Sequence, residues 1–163
     1  MPNLDAVVKA YDIRGTVPDQ LDANLAHAFG VAFAKFSEAK TVVVAHDMRP
    51  TGPELVEAFQ NGLNEQGVEV INLGLASTDM LYFASGKLNV PGAMFTASHN
   101  PAQYNGIKCC LSGARSIGID NGLREMKTMA QAVLDGKGPG QAKTRGEVTK
   151  KNMLADFVDH VVG

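Results

Sequence analysis

The sequence of 163 residues is 45% apolar and 20% charged, which is typical of a single globular domain that can bury its own core. Its 15 Lys and Arg against 17 Asp and Glu give a formal net charge of -2, without a basic block that could follow a phosphodiester backbone or an anionic membrane. No apolar stretch reaches the roughly 18 residues that span a bilayer, and the first residues, MPNLD, lack the basic-then-apolar pattern of a signal peptide. We therefore expect a cytoplasmic protein whose partners include neither nucleic acid nor membrane.

Short apolar, β-branched runs alternate with helical patterns along the chain. Such continuous runs are typical of strands buried on both faces of a parallel sheet, and they predict strands at 41–45, 68–73 and 93–96, with a shorter one near 147–149. Apolar residues at spacings of three and four predict two helices, one containing Leu25, Phe29, Phe33 and Phe36 and the other, between the strands at 41–45 and 68–73, containing Leu55, Phe59 and Leu63.

Two further helices are marked by residues that cap helix N-termini. Ser77 or Thr78 can start a third helix, and Asp120 or Asn121 can start a fourth. The resulting order of strands and helices predicts an α/β fold, a three-layer sandwich with a mainly parallel mixed sheet flanked by helices.

The C-terminal end of the sequence has a different character. A loop rich in Gly and Pro at 136–141 is followed by the short strand near 147–149 and by a new amphipathic segment from Met153. We therefore expect one domain at 1–150, with 151–163 as the start of the connection to a missing second domain.

The strongest candidate site follows the strand predicted at 93–96. The chain there presents Ser98 and His99, with Lys108 further on. Ligands of open α/β sheets gather at the carboxyl ends of strands, which favours this position. A serine hydroxyl reacts only when a base activates it or a charge neutralises the group it attacks, and His99 and Lys108 are the local candidates. A phosphoryl group on Ser98 would carry about -1.5 to -2 charges and would require such cations.

Local chain geometry restricts the chemistry of this segment. Adjacent residues of an extended chain point to opposite sides, so we do not expect Ser98 and His99 to form the nucleophile and base of an acyl transfer. Asn100-Pro101 is expected to end the strand, and Asn105-Gly106 to form a tight turn. Taken alone, a Ser-His-Asn string is more typical of a polar turn without chemistry.

Three strings in one order give the site a more specific interpretation. The residues at 93–101, AMFTASHNP, followed by YNGIK at 104–108, resemble the phosphoserine loop of the α-D-phosphohexomutase superfamily, in its bacterial phosphomannomutase/phosphoglucomutase branch. AYDIRGT at 10–16 and, less closely, HDMRPTGP at 46–53 resemble two further motifs of that family. The resemblance extends over almost the whole chain but only over the first of the family's four domains.

The resemblance implies a role for five residues. Ser98 matches the serine that is phosphorylated, donates its phosphoryl group to a hexose phosphate, and regains one from the resulting bisphosphate. His99 and Lys108 match residues lining that site, with Lys108 exchanging a proton with the sugar hydroxyl. Tyr11 and Arg14 match a substrate-binding loop in which the planar arginine fork suits phosphate oxygens.

Two features of the motifs leave alternatives open. Arg14 could instead form a surface ion pair with Asp12 or Asp19. The third motif has Ala45-His46-Asp47 where the family usually has Gly-Arg-Asp, so we expect no catalytic role for His46. Asp47 and Arg49 are both present, and they predict an ion pair that supports the neighbouring loop.

The resemblance also implies a metal and a larger enzyme. Mg²⁺ would be bound through the phosphate oxygen on Ser98, with its remaining ligands in a missing domain, because the family's acidic metal loop does not occur in this sequence. A hexose 1,6-bisphosphate is expected as activator, and a hexose phosphate and the remaining domains of the same enzyme as partners.

The function expected from this resemblance is that of an N-terminal catalytic domain. The resemblance implies that this domain belongs to a phosphohexomutase that interconverts the 1- and 6-phosphates of mannose or glucose, and the isolated domain is expected to be inactive. The alternatives are a stand-alone phosphosugar-binding module without turnover and a phosphoglucosamine mutase domain.

The remaining histidines and the cysteines have no motif around them. We expect His27 and His160 to be surface or satisfied core residues. The two cysteines, Cys109 and Cys110, are adjacent and match neither a disulfide framework nor a CxxC metal site. We interpret both as reduced and structural.

Overall fold

The structure is a computed structural model that describes residues 4–162, with side chains described up to residue 158. Six helices and seven strands make up this part of the chain. In chain order they are α1 (Leu4–Val7), β1 (Ile13–Thr16), α2 (Ala23–Ser37), β2 (Thr41–His46), α3 (Gly52–Glu65), β3 (Glu69–Leu75), α4 (Thr78–Leu88), β4 (Gly92–Phe95), β5 (Tyr104–Leu111), β6 (Arg115–Ser116), α5 (Arg124–Leu134), β7 (Val148–Lys150) and α6 (Leu154–Val162).

The strands form one mixed sheet in the order β1-β5-β4-β2-β3-β7, with β6 paired to β5. Strands β4, β2, β3 and β7 pair with one another in parallel, whereas β5 runs antiparallel to β4, β1 and β6. Helix α3 provides the crossover between the neighbouring parallel strands β2 and β3, and α4 connects β3 to β4 on the other side of β2. The predicted α/β fold with a mainly parallel mixed sheet is confirmed.

Alternating side chains of the sheet supply two separate cores. On β2, Val42 and Val44 pack into a large core with residues of α2, α3 and α5, while Val43 and Ala45 pack into a smaller core with residues of α4. All four side chains are fully buried. Both faces of the sheet are therefore covered by helices, which gives the expected three layers and explains the continuous apolar strand sequences.

Helix capping agrees with the sequence at the third predicted helix. The Ser77 side chain accepts a hydrogen bond from the Met80 backbone N–H, so α4 begins where predicted. The fourth helix begins later than Asp120 or Asn121, and that prediction is wrong. The chain first makes a wide helical turn in which Asn121 and Gly122 leave helical geometry, Gly122 at φ 149°, and regular helix starts at Arg124.

The tight turn predicted at Asn105-Gly106 is also wrong. Both residues lie inside β5, where Gly106 pairs with Arg14 of β1. A Cβ on Gly106 would lie 2.4 Å from the backbone oxygen of Ile13 and 2.9 Å from that of Thr96. Glycine is therefore needed here for the close approach of backbones and not for a turn.

No helix in the described part of the chain is long and apolar enough to cross a membrane. The cytoplasmic location expected from the sequence stays a prediction.

Candidate active site

The segment after β4 presents Ser98 to solvent at the carboxyl end of that strand. Thr96 and Ala97 are buried, whereas Ser98 and His99 are exposed. Ser98 has φ 53°, in the left-handed region that few non-glycine residues adopt, so the backbone turns sharply at this position. Its hydroxyl therefore projects from a turn and not from the extended chain assumed in the sequence argument.

Lys108 reaches Ser98 from the adjacent strand. It lies opposite Met94 in the antiparallel pairing of β4 and β5. Because Ile107 and Cys109 face the large core, Lys108 between them faces the other side of the sheet. Its Nζ donates to Ser98 Oγ at 3.3 Å. The structure thus brings together two of the three predicted catalytic side chains.

Arg14 comes to the same loop from β1. Its guanidinium donates to Asn100 Oδ1 at 2.8 Å and lies 3.6 Å from Asp12 Oδ1. The alternative ion pair with Asp12 is therefore present. Arg14 is nevertheless more than a surface ion-pair residue, because the same guanidinium also donates a hydrogen bond to the segment that carries Ser98. Arg14 is only partly exposed, at 35% of its side chain.

Arg49 makes the largest set of contacts with this segment. The side chain is buried, and its two terminal nitrogens donate to four backbone carbonyls, those of Ser98, Asn100, Pro101 and Tyr104, at 2.8–2.9 Å. Its Nε lies 3.5 Å from Asp47 Oδ2. The predicted ion pair supporting the neighbouring loop is confirmed. The four carbonyl contacts had no signal in the sequence beyond the Asp-x-Arg string itself.

Thr96 is a site residue that sequence reasoning missed. Its hydroxyl donates to Asp47 Oδ2 at 2.7 Å and accepts from the Ser98 backbone N–H at 3.0 Å. Threonine is common at the end of an apolar strand, so the residue type alone does not indicate a site. The only signal in the sequence is the position of Thr96 two residues before Ser98.

Tyr11 and His99 have fewer contacts than the residues above. The Tyr11 side chain is 77% exposed and lies against Gly118, and among the described residues it makes no hydrogen bond to Ser98, Lys108 or Arg14. The exposed His99 ring likewise has no hydrogen-bond partner within the described range. The roles expected for both stay predictions.

The other histidines agree with structural roles. His27 Nε2 lies 2.9 Å from Glu65 Oε1, between α2 and α3. His46 Nδ1 lies 2.8 Å from the backbone oxygen of Asp47, at the end of β2. The side chain of His160 lies outside the described residues.

Both cysteines are buried in the sheet and are free thiols. Burial raises the pKa of the Cys109 thiol and that of Cys110, so both are protonated at neutral pH. They pack into opposite cores, Cys109 into the large one and Cys110 into the small one. Their interpretation as reduced structural residues agrees with this geometry.

The described residues do not provide a metal site by themselves. Residues 4–158 contain no group of three or more His, Cys, Asp or Glu side chains that could hold a metal ion. The Lys108 ammonium lies 3.3 Å from Ser98 Oγ, where it would repel a cation. The donor set of this chain alone does not fit Mg²⁺, which requires several oxygen ligands.

This arrangement can accept a phosphoryl group. The exposed Ser98 hydroxyl lies on a hydrogen-bonded turn and accepts from Lys108. The Arg14 guanidinium, from β1, contacts the same turn at Asn100. Cations placed around a transferring phosphoryl group stabilise the charge on its oxygens. The fold and the site therefore define an α/β domain whose sheet edge carries the groups that binding a phosphate ester requires.

Comparison with known proteins gives the family. Residues 5–130 match the family described as phosphoglucomutase/phosphomannomutase, alpha/beta/alpha domain I. The chain belongs to this family, as the motif resemblance predicted. The matched range runs from α1 to α5 and contains all five predicted site residues.

Individual relatives agree with this assignment. The chain is 39% identical over 156 residues to a phosphomannomutase of Escherichia coli, covering 95% of this chain and 34% of the relative. It is 40% identical over 154 residues to phosphohexose mutases of Xanthomonas campestris pv. campestris, again with 34% of the relative covered. A solved structure of a phosphoglucomutase/phosphomannomutase family protein from Burkholderia thailandensis superimposes with a TM-score of 0.84 at 32% identity, over 100% of this chain and 36% of that one. The chain thus spans about a third of the length of these relatives.

Proposed function

We propose that this chain is the phosphoserine-bearing first domain of a phosphohexomutase that interconverts hexose 1-phosphate and hexose 6-phosphate, with mannose or glucose as the sugar. Residues 1–150 form the domain in this proposal, and 151–163 begin the connection to the next one. The observation that carries it is the contact between the exposed Ser98 hydroxyl and Lys108 Nζ, 3.3 Å apart.

In the proposed first half-reaction, a hydroxyl oxygen of the hexose phosphate attacks the phosphorus on phosphorylated Ser98. A P–O bond to the sugar forms while the P–O bond to Ser98 Oγ breaks. The sugar hydroxyl loses a proton and the departing serine oxygen gains one. Lys108, which donates to that oxygen, is placed to carry the proton between them.

The second half-reaction returns the phosphoryl group to the enzyme. After the hexose 1,6-bisphosphate has turned end for end, Ser98 Oγ attacks the other phosphorus, and the sugar oxygen leaves with a proton. Arg14 can offer two parallel N–H donors to the phosphate that does not react. We propose that it exchanges its bond to Asn100 for that phosphate, while Tyr11 and His99 contact the sugar.

The metal has a limited place in this proposal. A phosphate oxygen on Ser98 would be the single Mg²⁺ ligand from this chain, and the others would come from a domain outside it. Mg²⁺ would neutralise charge on the transferring group. No step of the chemistry above is assigned to it.

A coupled mutase assay with a hexose 1,6-bisphosphate activator tests this function. We compare residues 1–163, the complete gene product, and its Ser98→Ala variant, with Ser112→Ala as the matched control. The complete product is expected to turn over, the short chain to be inactive, and Ser98→Ala to lose on the order of 10⁴-fold or more in kcat. Substantial turnover by residues 1–163, or by Ser98→Ala, would contradict the proposal. A complete product no longer than this chain and without turnover would instead indicate a stand-alone phosphosugar-binding module.

A further inference from the structure

Ser98 is connected through both of its backbone polar groups to the segment that follows β2. Its carbonyl accepts from the Arg49 guanidinium at 2.9 Å. Its N–H donates to the Thr96 hydroxyl, which itself donates to Asp47 Oδ2. The Arg49 N–H donates to Asp47 Oδ1 at 3.1 Å and closes the ring. We call Asp47, Arg49 and Thr96 the loop clamp.

The contacts of the loop clamp stabilise the unusual backbone conformation of Ser98, at φ 53°. A serine in the left-handed region returns to an extended or right-handed conformation unless its surroundings hold it. The clamp bonds the N–H before the strained torsion and the carbonyl after it, so both ends of that torsion are held. The contacts use backbone atoms of Ser98 and leave its hydroxyl free for Lys108.

Burial makes these contacts strong and selective. Arg49 is 9% exposed and Thr96 is 4% exposed, so their hydrogen bonds do not compete freely with water. The four carbonyls around Arg49 face one planar fork, whose donors are fixed relative to each other. A shift of the loop would leave a buried guanidinium nitrogen without its acceptor, which is costly.

We propose, on the basis of the function proposed above, that the loop clamp is a positioning device for the nucleophile. It holds Ser98 at positive φ so that Oγ meets Lys108, and it acts on the transfer step and not on substrate binding. Thr96 and Arg49 are positioning residues in this proposal, because neither side chain contacts the reacting hydroxyl.

The test compares Thr96→Val with Thr96→Ser in the complete gene product. Valine keeps the shape of threonine but removes both hydroxyl contacts, whereas serine keeps the hydroxyl. For Thr96→Val we expect kcat to fall by roughly 100-fold, because a displacement of a reacting group by about 1 Å has an effect of that size. KM is expected to stay within a factor of about two of the wild-type value. Thr96→Ser is expected to retain most of the wild-type kcat. Equal kcat in Thr96→Val and wild type, or equal loss in both variants, would overturn the proposal.

A crystal structure of residues 1–163 carrying Thr96→Val gives a readout independent of activity. We expect Ser98 to leave positive φ and the contact of Oγ with Lys108 Nζ to lengthen beyond hydrogen-bond distance. An unchanged Ser98 conformation in the variant would overturn the proposed role of the loop clamp, whether or not the wild-type protein is active. A displaced Ser98 in the variant together with an inactive wild type would overturn only the proposed function. If Thr96→Val does not fold, Arg49→Lys is used for both measurements, because an ammonium cannot bond all four carbonyls and the same loss of kcat is expected.

Discussion

At the scale of residues, the site brings together side chains from neighbouring strands. Lys108 comes from β5 and Arg14 from β1, and both approach the turn after β4 that carries Ser98. Lys108 therefore contacts the Ser98 hydroxyl itself, whereas Arg14 contacts Asn100 of the same turn. Their different positions indicate different tasks.

Substitution of these two residues separates the tasks. Lys108→Ala is expected to lower kcat by about 10²- to 10⁴-fold with little change in KM, because it removes a group next to the reacting oxygen. Arg14→Ala is expected mainly to raise KM for the hexose phosphate, and Arg14→Lys to rescue only in part, because an ammonium lacks the planar fork. Steady-state kinetics of the complete gene product give both parameters. Wild-type kcat and KM in both alanine variants would contradict these roles and would indicate that Lys108 and Arg14 are only surface charges.

The sequence indicates these residues as candidates but does not indicate their contacts. Ser98, Lys108 and Arg14 lie in short strings of unusual composition, which could be recognised without any structure. The contacts of Arg49 with four carbonyls join residues about fifty positions apart, and the Thr96 hydroxyl is one among many at strand ends. Such contacts depend on how strands are placed side by side, which no local pattern specifies.

At the scale of elements, the strands that the sequence missed are those that place Lys108 and Arg14. The Asn105-Gly106 pair within β5 predicts a turn, because Asn-Gly is a common hairpin signal. In the structure, Asn105 donates through its side chain to Thr51 Oγ1 at 2.9 Å, and Gly106 allows β1 and the end of β4 to approach closely. The buried parallel strands were predicted well because their continuous apolar sequence reflects burial on both faces.

The Gly106 position offers a direct test of this packing. Gly106→Ala is expected to lower the free energy of unfolding by about 3 kcal/mol, because its Cβ would lie within 3 Å of two backbone oxygens. Gly86→Ala is the matched control, since that glycine lies in α4 with nothing within 4 Å of its Cβ position, and alanine there should stabilise by about 0.5–1 kcal/mol. Urea unfolding measures both. A Gly106→Ala variant as stable as the wild type would contradict the described approach of the strands.

At the scale of the whole molecule, the sheet separates two cores, and the adjacent cysteines of β5 lie one in each. Burial raises the pKa of both thiols above that of an unfolded cysteine, which is about 8.5. The stability they contribute is complete below that pH and decreases as the pH rises towards the folded pKa, because the unfolded thiols lose protons that the folded ones keep.

The expected decrease is up to about 1.4 kcal/mol per pH unit for each thiol above pH 8.5. Urea unfolding between pH 7 and pH 10 measures it. The Cys109→Ala, Cys110→Ala double variant is the control, and its stability should depend less steeply on pH in the alkaline range. The same alkaline slope in both proteins would show that the thiols are not buried as described.

The position of the phosphoryl group tests the central claim most directly, namely that this domain transfers phosphate through Ser98. The complete gene product is incubated with a hexose 1,6-bisphosphate, digested, and its peptides mapped by mass spectrometry. We predict one phosphoryl group, located on Ser98 and lost again when hexose phosphate is added in excess. Protein without phosphate that is nevertheless active, or phosphate mapped to Ser77, Ser85 or Ser112, would contradict it.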